Sequence, residues 1–427
     1  MASVAASSAA ALLQRSEALL DEKKINEAVD ILNRLVDAEV EEEGREEAVK
    51  IKEQAILLLG KVLAKHSFAE ELGELVVKTR NMIGNFSKAK AAKLIRDLVD
   101  RFLDMKSSTG REVELCQQCI DWAKTENRVF LRQALEARLV ALYVDRDADK
   151  QALTIAGPLL KELKKIDDKA LLVEVQLMES KAYQKLDNIT RSRAALTSAK
   201  TTANGIYCPP RLQSALDLQS GVLHAEEKDF KTAYSYFYEA FEGYDSVDSP
   251  MAITALKYML LCKIMLGIPE DVQSVVSGKM ALKYSGIELE VMQNIAKACR
   301  SKSISELERV VEEHRQHVSA DPIVKSHLEA LNSALLEKNL LQIIEPYSKV
   351  EVQHVAREIK LPQDEVERKL SRLILDKSLN GILDQGQGVL IVYENSGSDQ
   401  TYSTGLEVIS RMGKVVDSLY SQTKQLP

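Results

Sequence analysis

Residues that sheets and tight turns depend on are scarce in this chain. Only 18 of its 427 residues are glycine and 9 are proline, and aromatic side chains make up 5%. A fold of many strands and hairpins is excluded. Long apolar runs are missing as well: Ala55–Leu59 and Met259–Cys262 are among the longest, whereas a bilayer needs about 20 consecutive apolar residues. Cysteine is rare and odd in number, five in all, which argues against a disulfide framework and for a reducing compartment. The chain also lacks a surplus of positive charge. Its 57 Lys and Arg face 64 Asp and Glu, for a net charge of -7, so no uniform basic field exists to attract nucleic acid or anionic lipid. Met1–Ala11 is Ala/Ser-rich without a basic residue and runs into Arg15, Glu17, Asp21 and Glu22; no secretory signal is expected.

What is present is helix. Ala, Leu, Glu and Lys dominate, residues that lose little rotamer freedom in a helix. From about Ala10 to Met280 apolar residues recur at three- and four-residue spacing. One block is Leu131, Leu135, Leu139, Leu142 and Tyr143; another is Leu171, Leu172, Val175, Met178 and Tyr183, which leaves Lys181 and Lys185 for solvent. Short polar breaks follow at Asp145–Asp149, Lys185–Asn188 and Glu226–Asp229. Ala152, Ala194 and Ala233 recur at matching places after these breaks, where a small residue lets two helices approach. A period near 40 residues with two helices per unit marks a helical solenoid, here a degenerate tetratricopeptide-like array.

The pattern changes after Pro346. Tyr347–Ile359, Pro362–Leu375 and Gly381–Tyr393 read as helix, helix and hairpin, with Leu361-Pro362 as the break and Gln363-Asp364 available to cap the second helix. The β-prone stretches Ile382–Leu383 and Val389–Tyr393 flank the turn Asp384–Gly388. Two short helices and a β-wing make a winged helix. The wing strand Val389, Leu390, Ile391, Val392 and Tyr393 is expected to be unpaired, a template for a partner strand. Asn395–Gln400 is a polar linker. Beyond it Leu406, Ile409, Met412, Val416 and Leu419 form the stripe of a terminal helix that calls for a helical partner.

Candidate chemistry is thin. Cys116-Gln-Gln-Cys119 lacks the second pair a structural zinc needs, the other cysteines being 208, 262 and 299, so packed thiols are expected. Glu312-Glu313-His314-Arg315-Gln316-His317 misses the HExxH spacing and reads as solvated helix. Tyr234, Phe237, Tyr238 and Phe241 share one helix face and read as core, since Lys231 is the only cation near them. In the second winged-helix helix, Arg368, Lys369 and Arg372 cancel Asp364, Glu365 and Glu367, which favours protein over DNA. The acidic stretch Glu39, Glu41, Glu42, Glu43, Glu46 and Glu47 and the basic set Lys88, Lys90, Lys93 and Arg96 read as solvated surface. No nucleotide-binding or nucleophile motif is present, so no catalytic residue, metal or cofactor is assigned.

Helical repeats followed by a winged helix resemble the PCI family, scaffold subunits of the proteasome lid, the signalosome and a translation initiation factor. Phe130-Leu-Arg-Gln-Ala-Leu-Glu-Ala-Arg138, Asp167-Asp-Lys-Ala-Leu-Leu-Val-Glu-Val-Gln176, Thr201-Thr-Ala-Asn-Gly-Ile-Tyr-Cys-Pro-Pro210, Ala233–Asp245, Ile344–Val350 and Val366–Leu370 resemble its proteasome-lid branch. The resemblance implies a right-handed TPR-like α-solenoid over 1–228 and a PCI domain over 229–395, helical over 229–345 and winged over 346–395. A linker and bundle helix occupy 396–427. It further implies a non-enzymatic role in cytoplasm and nucleus. The implied partners are other PCI lid subunits, the proteasomal ATPase ring and the outer ring of the core particle, with no nucleic acid, membrane or small-molecule substrate.

Overall fold

The computed structural model describes residues 12–13, 15–16, 25–37, 45–66, 68–82, 88–104, 111–278, 281–284, 286–319, 321–359, 362–393 and 400–424. Met1–Ala11, Glu39–Glu43, Leu361 and Asn395–Asp399 lie outside them. Its contacts divide into two units, Met1–Leu256 and Lys257–Pro427.

The first unit is an α-solenoid. Its helices are α1 (Ile25–Asp37), α2 (Arg45–Lys65), α3 (Ala69–Met82), α4 (Lys88–Asp104), α5 (Arg111–Thr125), α6 (Val129–Asp145), α7 (Asp149–Ile166), α8 (Lys169–Lys185), α9 (Ile189–Ala203), α10 (Pro210–Glu226) and α11 (Phe230–Ser246), while α12 (Met251–Met265) runs across the division. The turns keep a strict rhythm. Asn127, Asp147, Asp167, Asp187, Lys228 and Asp248 all have positive φ, between 50° and 66°, at intervals of 20 residues apart from one of 41. Asn and Asp enter this left-handed region at least cost among residues with a Cβ. At five of these six turns the following amide closes the helix, Asn188 N–H donating to Tyr183 O and Asp229 N–H to His224 O, both at 2.9 Å. Asp168, Asn188 and Asp229 then cap the next helix through their side chains. The beat fails once, near Tyr207. There Pro209 and Pro210 open α10 instead, and proline cannot adopt positive φ.

Five residues after the positive-φ position stand Ala152, Ser192 and Ala233, each 0% exposed. This corrects the expected register by two residues. Ala194 faces solvent, and Ser192 fills the crossing, its hydroxyl donating to Ser180 O at 2.7 Å. α10 and α11 pack closely, so that a Cβ on Gly221 would lie 2.6 Å from the Phe237 ring. Lys181, expected in solvent, is half-buried, and burial pulls its ammonium below the usual lysine range. Lys185 stays exposed and pairs with Asp147 of the preceding hairpin at 2.6 Å.

In the second unit follow α13 (Glu270–Val276), a short 3-10 turn (Ala281–Lys283), α14 (Ile287–Ser301), α15 (Ile304–Glu313), α16 (Arg315–Ser319) and α17 (Pro322–Ile344). Lys257 on α12, 8% exposed, reaches Asp321 at 2.7 Å and Glu288 at 3.3 Å. Asp321 caps α17 and accepts the Tyr258 hydroxyl at 2.9 Å. The winged helix consists of β1 (Lys349–Glu351), α18 (Val352–Ile359), α19 (Gln363–Leu375), β2 (Gly381–Asp384) and β3 (Val389–Val392); α20 (Gln400–Thr423) ends the fold.

Two expectations are corrected here. The helix expected from Tyr347 begins at Val352, because Lys349-Val350-Glu351 alternates with period two and forms a strand that buries Val350 alone. With that strand present the sheet order is β1-β3-β2. The strand taken as unpaired, β3, is therefore the central one, bonded to β1 and β2 on its two sides. The cap of α19 also differs: Pro362 occupies that position, and the Gln363 side chain donates to Glu367 instead.

Candidate protein-docking surfaces

The winged helix is anchored from within. Leu340 and Ile344 at the end of α17 join Val350, Val355, Val366, Leu370, Leu373 and Leu390 in one core. Leu390 belongs to that core at 0% exposure and presents nothing outward. Val389 and Val392 are half-buried, whereas Ile391 and Tyr393 are exposed. Ile391 sits opposite Ile382 in the antiparallel register, and both face out. The free edges are the outer sides of β1 and β2. Sequence reasoning missed β1 because its alternation covers only three residues.

The terminal helix carries the other expected surface. Leu406, Ile409, Met412, Val416 and Leu419 are all exposed, the least of them by 55%. Tyr402, Val408, Val415 and Tyr420 extend the stripe and were missed. In heptad terms Ile409, Met412, Val416 and Leu419 are the a and d positions, Tyr402 extends the a series by one heptad, and Val408, Val415 and Tyr420 flank the seam.

Elsewhere the side chains are occupied with packing. Cys116 and Cys119 are 0% exposed within the core of the first unit, and burial pushes the Cys116 thiol up to about 12. Such a thiol is a poor nucleophile and a poor metal ligand. Phe237, Phe241 and Tyr244 are buried, but Tyr238 of the aromatic group is exposed, a correction of one position. His314 caps the end of α15 while His317 stands on α16, so the two histidines do not share a helix. Lys93 and Arg96 are exposed, as are the side chains of Arg368 and Arg372; those of Lys88, Lys90, Glu46 and Glu47 lie outside the described set. Among the described residues no group of His, Cys, Asp or Glu converges as a metal site would. No described helix is long and apolar enough to cross a membrane.

Comparison with known proteins fits the order of these modules. A family model described as the 26S proteasome regulatory subunit RPN6 N-terminal domain matches residues 9–146, a PCI domain model matches 311–394, and a model of the RPN6 C-terminal helix domain matches 398–424. The chain is 52% identical over 381 residues to the probable 26S proteasome regulatory subunit rpn-6.1 of Caenorhabditis elegans, covering 88% of this chain and 87% of that one. It is 47% identical over 396 residues to the probable subunit rpn6 of Schizosaccharomyces pombe, covering 92% and 94%. To the 26S proteasome regulatory subunit RPN6 of Saccharomyces cerevisiae it is 37% identical over 430 residues, covering 97% and 98%.

Proposed function

Because the chain belongs to the family of 26S proteasome regulatory subunit RPN6, we propose that it is a scaffold subunit of the proteasome regulatory-particle lid without catalytic activity of its own. It holds lid and ATPase base on the core particle for ubiquitin-dependent degradation. Its partners in this role are other PCI lid subunits, the ATPase ring and the outer ring of the core particle, in cytoplasm and nucleus. The signalosome and initiation-factor alternatives are not favoured, since the relatives compared carry the proteasome subunit's name along most of their length.

The observation that carries this reading is the exposed stripe of α20, in a segment that matches a family helix domain of its own. Apolar side chains laid out at heptad spacing gain about 25 cal/mol for each Å² that a partner helix covers. The solenoid adds a long lateral surface, because each repeat touches only its neighbours. The test replaces Ile409, Met412, Val416 and Leu419 with Asp in the tagged chain. Proteasome ATPase and core subunits should cease to co-purify while the solenoid melts at its usual temperature. Undiminished recovery of those subunits would sink the proposal.

A further inference from the structure

The exposed side of α19 holds a groove of about 400 Å³, lined by Asp364, Glu367, Arg368, Ser371, Arg372 and Leu375, with Gln385 of the wing turn as its far wall. Charges along it are ordered. Asp364 and Glu365 occupy the first turn, where they suit the positive end of the helix dipole, and Glu367 follows in the second. Arg368 and Arg372 follow four residues apart on the same face. Two of the helix's other polar groups are engaged: Lys369 turns back to Ser333 and Glu337 of α17, and Glu367 takes the Gln363 amide. Arg368 and Arg372 have no ion-pair partner among the described residues. Beyond them Leu375 stands 81% exposed at the helix end, beside the groove.

We propose that this groove docks a polypeptide segment of a neighbouring subunit that places two acidic side chains one helical turn apart against Arg368 and Arg372 and an apolar side chain over Leu375. The inference rests on the assembly role proposed above and names one surface that serves it. Two guanidiniums about 6 Å apart along the axis match carboxylates at i and i+4 of a facing helix. Asp364 at the other end of the groove sets the segment's direction, since a segment laid in reverse would bring like charges together. The acids also disfavour a nucleic acid, whose phosphates would meet Asp364, Glu365 and Glu367. An exposed leucine gives such a contact the apolar centre that rim charges by themselves lack.

The test uses the full chain in its assembled complex, with a photo-reactive benzophenone amino acid in place of Leu375. The expected crosslink falls on a segment of another subunit carrying two acidic residues one turn apart. The pair Arg368→Glu and Arg372→Glu should lower incorporation about tenfold, and reversing the two acids of that segment to Lys should restore it. The milder Arg368→Gln with Arg372→Gln, checked for an unchanged melt, should show a smaller loss of the same sign. If wild-type chain recruits proteasome subunits yet Leu375 gives no crosslink, or the charge-reversed chain incorporates normally, the groove proposal is wrong and the scaffold role stands. A crosslink to a segment without acids overturns it too. So does a salt-sensitive duplex-DNA shift that the two glutamates abolish without affecting incorporation. Failure of the wild-type chain to recruit any such subunit would instead count against the scaffold role itself.

Discussion

Replacing Lys257 with Met should loosen the second unit far more than an ordinary surface lysine would. The ammonium is 8% exposed and lies 2.7 Å from Asp321 and 3.3 Å from Glu288. At an effective dielectric near 20 the closer pair attracts by about 6 kcal/mol, a gain largely offset by the cost of drying both groups. Methionine removes the attraction but leaves the Asp321 carboxylate largely enclosed, held by the Tyr258 hydroxyl and the Ile323 amide with His327 nearby. Stranding a fully buried charge costs about 3–5 kcal/mol, and the residual exposure of Asp321 puts the loss near the lower figure. Asp321→Asn in the same background should recover most of the loss. An amide still caps α17 and still accepts from Tyr258, and no charge is left stranded. Native-state hydrogen exchange of the α17 amides reads the opening energy of this unit separately from the solenoid. Additive effects of the two substitutions, or a loss below about 1 kcal/mol for Lys257→Met, would refute the reasoning.

Two other outcomes are expected. Gly221→Ala should destabilise the solenoid by about 1–3 kcal/mol through overpacking, because its Cβ would lie 2.6 Å from the Phe237 ring; a thermal melt checks this, and an unchanged midpoint would contradict it. Glu179 is half-buried, and its burial raises the carboxyl above the usual glutamate range. A raised folded-state pKa means the native state binds its proton first on acidification. This group's contribution therefore grows more favourable as pH falls from above its folded value towards the ordinary glutamate pKa near 4.3. Glu179→Gln should stabilise the chain at neutral pH and flatten that slope, as urea midpoints at several pH values will show.

Much of the fold was legible because helices announce themselves locally. The three- and four-residue spacing of Leu131, Leu135 and Leu139 survives as a buried face, and the forty-residue period survives as hairpins starting at Val129, Lys169 and Pro210. The finer beat was also written in the chain, as Asn127, Asp147, Asp167 and Asp187. It shows only when a polar residue is recognised as a positive-φ turn rather than as generic loop. The misplacement of Ala194 has the same origin: counting from the alanine pattern overlooks that serine, too, is small enough for a helix crossing.

What sequence could not determine is what the chain does with partners drawn from its own distant segments. Lys349–Glu351 is too short to be recognised as a strand from its own residues. It becomes one because β3, some forty positions away, supplies the hydrogen bonds, and that pairing turned a supposed free edge into the middle of a sheet. The seam of the α20 stripe, by contrast, was legible in residue order, since heptad spacing is a property of one helix, although its flanks at Val408, Val415 and Tyr420 were overlooked. Local periodicity thus set the helices, their turns and their apolar faces. Only the tertiary structure decided which polar groups are buried in pairs, which strand lies central, and which charges on α19 are left unanswered, because each depends on residues brought together from different elements.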